Sequence, residues 1–486
     1  MPRIVILDAR DLCSGATARN GGHAKVKTAT LAGLKDGVAR TAFQDYVHRT
    51  HIELKRLVDK EGLAEECEFE LRRSFDVFQD KEEFETVKKV YDEDARRGEG
   101  WTRRTSVVPG EYVQQVTSIG DAVGAFSVEA ASFWPYKLVT GLLEVMVRRF
   151  GEEGWLNVQM GTVVTRISTS STGTSGDTTT TKNILETPRG TLIAHKLILA
   201  TNAYTASLLP SFSKTIIPYK GMNSHHTPSP SHAIRPHLNN TYNIRFAPHP
   251  PTPSSPAHPT GCDYLNTRPD GSIVVGGGSW FYQHHNSHSH SHAHSKPSKH
   301  NNPNNPHNND NYTWYNTTDD STLTGHFPPH VYTHWTHYMS RVFLGWEQAK
   351  VGAEPDCIWT GIQGATGDGM PHVGRVPDIP SLPSTPSAPS IPSTPEVLSG
   401  VENGNIVEDD DDQGQKLKKK KQQWLSAGFN GGGMAPIPLV AKAVAKMVLQ
   451  DLEFEDVQEE FGLLGGMGTG VGRMDVEGKK MGEQWS

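Results

Sequence analysis

Asp8 closes the apolar run Ile4–Leu7, and behind it comes a short loop of small and polar residues that includes Ser14, Gly15, Ala16, Thr17, Arg19, Asn20, Gly21 and Gly22. The unbroken apolar run predicts a strand buried on both faces of a parallel sheet. A carboxylate at the C-terminal end of such a strand is placed to hydrogen-bond a ribose hydroxyl of a bound dinucleotide. Asp8 alone would equally suit an ordinary strand and surface loop. The loop composition tips the reading, because glycine and alanine let a backbone approach a polyphosphate closely.

A second stretch with chemical character lies near the other end. Trp424–Met434 reads WLSAGFNGGGM and runs into Ala435–Leu449, a pattern of strand, glycine turn and helix. Val440, Val444, Met447 and Val448 fall on the inward stripe of that helix, and Pro436 and Pro438 confine its start. A glycine-rich helix N-terminus presents backbone N–H donors and the positive end of the dipole, worth roughly 0.3–2 kcal/mol to a nearby negative charge. Between the two, Trp359–Gly374 (WTGIQGATGDGMPHVG) carries Gly361, Gln363 and Asp368.

These residues need a framework. Ala39, Phe43, Tyr46, Val47, Thr50, Leu54, Leu57 and Val58 recur at helical spacing, as do Phe84, Val87, Val90 and Tyr91. Lys137–Phe150 predicts a further helix, with Leu138, Leu142, Val145 and Met146 inward. Leu156–Ile167 predicts a strand bent at Gly161, Ser168–Thr181 a spacer, and Leu192–Thr201 another strand ending at Asn202. From Pro218 on, separated strands follow at Tyr242–Phe246, Asp263–Thr267 and Ile273–Gly277, with a turn at Arg268–Gly271. They predict an antiparallel sheet in a second domain.

The chain has 486 residues, enough for two domains, and a formal charge of −7 that gives no basic surface for nucleic acid. Cys13, Cys67, Cys262 and Cys357 are scattered without a CxxC pair, which predicts free thiols and an intracellular, cytoplasmic setting. No apolar window is long enough to span a membrane. The His/Asn-rich segment 283–311 and the segment 377–423, Pro/Ser-rich and then charged, read as disordered insertions. The histidines of the first have no fixed spacing with other ligands, so no metal site is expected.

Taken in order, the segments resemble the FAD-dependent oxidoreductases related to D-amino acid oxidase, glycine oxidase and sarcosine oxidase. The resemblance rests on RIVILDARDLCSGATARNGGH, with Asp8 in place of the usual Glu, on LILATNAYTASLLP, on the D-G-x-P-x-x-G of Asp368–Gly374, and on Gly428-Phe-Asn-Gly-Gly-Gly-Met434. It implies an α/β fold: an FAD-binding, Rossmann-like parallel sheet with an antiparallel-sheet substrate domain. The FAD-binding parts would be 1–60, 136–215, 351–376 and 424–452, the substrate domain 61–135 and 216–350, and 453–486 a tail. FAD would lie against Asp8, Ala9, Arg10, Ser14–Thr17, Arg19–His23, Val163, Val164, Thr201, Asn202, Gly361, Asp368, Gly428 and Gly431–Met434. His23 and Cys357 mark where a covalent tether would attach, and untethered FAD is the expectation. Gln363 stands where amino acid oxidases of the family carry a carboxylate-gripping Arg, which leans the substrate towards a small amine rather than an amino acid; Arg268 or Arg341 could take that role instead. The implied reaction is oxidation of a C–N bond by hydride transfer to flavin N5, with O2 or another acceptor, and no catalytic acid or base is identified. No G-x-G-x-x-G occurs in the chain, so the family's first βα unit is missing and an N-terminal truncation is expected. The alternative is a degenerate member that does not bind FAD.

Overall fold

The computed structural model describes residues 2–172, 180–227, 238–248, 261–278, 316–318, 329–346, 354–378 and 421–474. The insertion 283–311 and the interior of 377–423 lie outside the described residues. The strands begin with β1 (Ile4–Leu7), β2 (His23–Ala24), β3 (Glu70–Phe78), β4 (Ser106–Val108), β5 (Gly124–Ser132), β6 (Leu156–Gln159), β7 (Arg166–Thr172), β8 (Thr180–Thr187) and β9 (Gly190–Ala194). They continue with β10 (Leu197–Leu199), β11 (Ile216–His226), β12 (Thr241–Phe246), β13 (Gly261–Thr267), β14 (Ile273–Gly276), β15 (Cys357–Thr366), β16 (His372–Arg375) and β17 (Gln423–Ala427).

Two parallel pairs form the α/β part, β1 with β6 and β10 with β17, and β16 adds antiparallel to β17. β7–β8–β9 form an antiparallel meander. The remaining strands build one large sheet in the order β15–β11–β14–β13–β12–β3–β5–β2, with β4 on β5. This sheet is mixed rather than antiparallel, because β12 runs parallel to β3. That pairing joins the 61–135 and 216–350 segments. β15 also belongs to it, pairing with β11 from Cys357 to Thr366, so 351–376 crosses between the two parts instead of lying in one.

Several sequence expectations change for local reasons. Ile4 and Val5 are 48% and 40% exposed, because β1 has a strand partner on one edge only among the described residues. Leu192–Thr201 divides into β9 and β10, since the chain leaves the meander at His195–Lys196 and enters the parallel sheet. The ends of the Thr/Ser spacer pair as β7 and β8, as their β-branched threonines favour. Within 453–474, the described part of the segment read as a C-terminal tail, Phe454, Val457, Leu463 and Met467 are buried in the same core as Trp424 and Val440. Gln423, read as the end of the second insertion, opens β17.

The long helices match their periodic stripes. Gly37–Glu61 starts on Asp36, whose carboxylate accepts from the Ala39 N–H at 2.8 Å, and stops at Gly62 in the left-handed region. Pro135–Phe150 turns Leu138, Gly141 and Val145 inward. Gly141 packs against Leu63, and Met146, expected inward, is 38% exposed, off the side of the helix that carries Gly141 and Val145. Ile437–Gln450 follows β17 and buries Val440, Val444 and Met447.

The large sheet separates its two faces by period-two alternation. Ile244, Leu265, Val275 and Ile358 pack with Trp335, Tyr338 and Phe343, each fully buried apolar side chain contributing roughly 1.5–3 kcal/mol. Tyr264 and Asn266, either side of Leu265, bond instead to Asn223 and to the glycines of the 14–23 loop.

Candidate functional site

The N-terminal loop is fastened to the large sheet from several directions. Arg19 donates from Nε to the Ser14 carbonyl at 2.8 Å and from Nη1 to the Thr360 carbonyl on β15 at 2.9 Å. Its own carbonyl accepts from the Asn223 amide at 2.7 Å and the Trp359 indole at 2.9 Å. Asn20 folds the loop on itself, accepting the Gly22 N–H at 2.9 Å and donating to the carbonyls of Ala16 and Thr17. Asn266 donates to the carbonyls of Gly21 and Gly22 at 3.0 and 3.2 Å.

The glycines here are required. A Cβ on Gly21 would lie 2.3 Å from the Tyr264 ring, and one on Gly22 would lie 2.4 Å from the Phe133 carbonyl oxygen. Gly361 admits the Arg19 side chain, at 3.0 Å from where its Cβ would be. Tyr264 is fixed by donating to Asn223 Oδ1 at 2.6 Å, and its ring centroid lies 5.3 Å from that of His23. His23 Nδ1 is buried with no hydrogen-bond partner among the described residues, and burial pushes its pKa down to about 3.

Asp8 and the 160s loop form one corner. Thr162 N–H donates to the Asp8 carbonyl at 2.8 Å, which brings Val163 and Val164 beside Asp8, Ala9 and Arg10. The exposed Asp8 carboxylate accepts the Arg10 N–H at 2.9 Å and keeps acceptor capacity outward.

The C-terminal glycine turn meets the same β11–β15 surface. Gly431 lies against the Tyr219 hydroxyl and Gln363 Oε1, with its Cβ position 3.3 and 3.4 Å away. Tyr219 and Gln363 are register partners on β11 and β15, and Gly361, against Arg19, precedes Gln363 on the same strand. Loop 14–23 and the glycine turn, from opposite ends of the sequence, therefore abut one strand. Asn202, itself at φ 42°, accepts from the Gly428 and Phe429 N–H groups at 2.9 and 3.1 Å. Thr201 bonds locally to Thr205 at 2.9 Å. Gly432 faces open space, and Met434 packs against the Leu54–Leu138 core.

Some predicted residues have other partners. Asp368 is gripped by Arg473 at 2.7 and 2.8 Å, so its carboxylate is committed to the C-terminal segment. Cys357 starts β15, and burial and the Asp356 carboxylate raise its thiol pKa. Asn223, Tyr264, Asn266, Trp359, Tyr219 and Asn430 escaped the sequence reading. For the five in strands the signal is polar and aromatic residues alternating with apolar ones, which looks like any solvent-facing strand, while Asn430 sits in the glycine turn and looks like an ordinary turn residue.

The residues suit a dinucleotide with a flavin. An acidic strand end at Asp8, a glycine loop held against β15, an orphaned buried imidazole nitrogen at His23 and an open glycine turn are the features such a group would meet. Among the described residues no cluster of His, Cys, Asp and Glu could hold a metal, and no helix is long and apolar enough to cross a membrane.

Comparison with known proteins agrees. The model of the DAO family, FAD dependent oxidoreductase, matches residues 2–447. Among solved structures, glycine oxidase from Geobacillus kaustophilus superposes with a TM-score of 0.57 at 14% identity, covering 92% of this chain and 88% of that one. L-proline dehydrogenase from P. horikoshii gives 0.55 at 14% identity, covering 95% and 97%. Iminodiacetate oxidase from Chelativorans sp. BNC1 gives 0.53 at 13% identity, covering 93% and 92%. No curated protein matches the sequence. At such identities the superpositions speak for the fold, while the family match over most of the length speaks for membership. The chain belongs to the DAO family of FAD-dependent oxidoreductases.

Proposed function

We propose that the chain oxidises the C–N bond of a small amine, with FAD held between the 8–23 loop and the Gly428–Met434 turn. The observation that carries the substrate class is Gln363. Its side chain lies between Gly221, whose Cβ position is 2.8 Å from Nε2, and Gly431, at 3.4 Å from Oε1. A neutral amide there offers a hydrogen bond but no ionic, two-point grip on a carboxylate. The other arginines considered for that grip have partners. Arg268 donates twice to Glu68, at 2.8 and 2.6 Å, and stacks over Trp134, while Arg341 donates to the His334 carbonyl at 2.7 Å. This supports an amine over a free amino acid.

Asp8 would take the ribose, and the loop from Ser14 to Gly22 the pyrophosphate. Val163 and Val164 would flank the adenine, and the Gly431–Gly433 turn would stand at the electron-rich end of the ring system. FAD, when bound, would supply the two-electron acceptor for oxidation of the amine's C–N bond. The chain's own part is placement and field: N–H donors at the turn, a buried neutral imidazole at His23, and the β11–β15 face against which loop and turn rest. The electrons leave to O2 or another acceptor.

A panel of amines paired with the corresponding amino acids tests this reading. Turnover of amines is expected, and Gln363→Arg is expected to raise kcat/KM for the carboxylate-bearing partner about tenfold or more, the worth of a charge-assisted hydrogen bond. Turnover confined to free α-amino acids in the unaltered protein would overturn it.

A further inference from the structure

Residues 448–474 lie beyond the part of the chain that matches the family, yet they return to the site. Arg473 closes over the turn that follows β15. It donates to both Asp368 oxygens at 2.7 and 2.8 Å, to the Met370 carbonyl at 2.8 Å, and to the carbonyls of Pro371 and Gly468 at 2.9 and 3.1 Å. The Met370 carbonyl also accepts from the Thr366 hydroxyl at 2.9 Å. Thr366 in turn donates its backbone N–H to Asn430 Oδ1 at 2.9 Å, and its hydroxyl oxygen lies 3.3 Å from Asn430 Nδ2. Asn430, buried and at φ 54°, donates on to the Gly428 carbonyl at 3.0 Å. Its conformation is one that Asn tolerates better than most residues. Gly428 has φ 76° and a Cβ position 2.6 Å from Thr366 Cγ2, so the turn has no slack on this side.

We propose that Arg473 is a positioning residue for the glycine turn, acting through Met370, Thr366 and Asn430 to hold Gly428–Gly433 where it meets the cofactor. The geometry favours a device over an incidental surface pair. A guanidinium fork engages one carboxylate and three carbonyls at once, which fixes a loop in two directions. Every link after it is a hydrogen bond between buried or half-buried groups. This inference rests on the reading that FAD lies under that turn, but part of its test does not.

The experiment is amide hydrogen exchange on the full chain, comparing the unaltered protein with Arg473→Gln and Thr366→Val. The second variant cuts the chain at its middle with a side chain of nearly the same shape, so it decides the matter even where the first does not fold. Faster exchange at Gly428 and Phe429, by about tenfold, the worth of one hydrogen bond, is predicted in both variants, with β11–β14 unchanged. FAD titrated into the apoprotein, followed by tryptophan fluorescence, is expected to bind about tenfold more weakly in both. Exchange that rises only around Asp368, or that rises uniformly over the molecule, would overturn the positioning role, as would unaltered FAD affinity in variants whose turn is loosened. An unaltered protein that takes up no FAD would sink the functional reading instead and leave the exchange result to judge Arg473.

Discussion

Asp76→Ala is expected to destabilise the protein by about 3–5 kcal/mol, read as the loss of unfolding free energy in urea. Asp76 lies on β3, 2% exposed, and pairs with the ammonium of Lys25, which is 1% exposed. Its other oxygen accepts from the Thr28 N–H at 2.6 Å and the Thr28 hydroxyl at 2.9 Å. Burial pushes the Lys25 pKa down while Asp76 holds it up. Removing the carboxylate therefore leaves a cation in the interior with little compensation. Lys25 directly follows β2 and lies two residues beyond His23, so the pair also pins the loop at its exit. The double variant Lys25→Met, Asp76→Leu is expected to recover the part of the loss due to the stranded cation, but not the part due to the Thr28 N–H and hydroxyl, which stay without an acceptor. A shift below about 1 kcal/mol in Asp76→Ala would contradict this account.

Acid is expected to cost several kcal/mol of stability between pH 6.5 and about 4. Burial holds three imidazoles far below their ordinary value: His23 at about 3, His51 at about 4 and His372 at about 4. His51 bonds its Nε2 to the Ala24 carbonyl at 2.9 Å, an arrangement that keeps the neutral ring with its proton there. As pH falls through 6.5 the unfolded chain takes up protons at these positions and the native state does not. Stability is thus complete above pH 6.5 and falls as pH drops towards the depressed values, at roughly 1.4 kcal/mol per pH unit for each group. Urea unfolding at stepped pH measures the slope, and His51→Gln should remove part of it. A flat profile over this window would show that the rings titrate normally.

The local chemistry was legible in the sequence where a backbone constraint demanded a residue type. Gly21, Gly22, Gly361 and Gly428 announce close approach or left-handed backbone, and Asp8 and Asn202 fall at strand ends where loops meet. The structure brings loop and turn from opposite ends of the sequence to one strand, β15. The parallel pairing of β12 with β3 was not legible, since strand direction is set by tertiary crossover and leaves no mark on side-chain alternation. Nor was the role of Arg473, a lone cation in a Gly-rich stretch whose partner Asp368 lies far back in the chain. Asp368 itself misled for the same reason: a motif gives a residue's neighbours in sequence, while its charge partner is chosen by the fold. Ile4 and Val5 misled because an apolar run says that burial is favourable, and burial also needs a neighbour to supply it.

The visible absorption spectrum of the purified full chain, with FAD titrated in, tests the central claim most directly. The account predicts the two bands of oxidised flavin retained through gel filtration, and their loss in Asp8→Ala. A protein that stays colourless at saturating FAD would contradict it, and would leave a chain that keeps the family's fold without its cofactor.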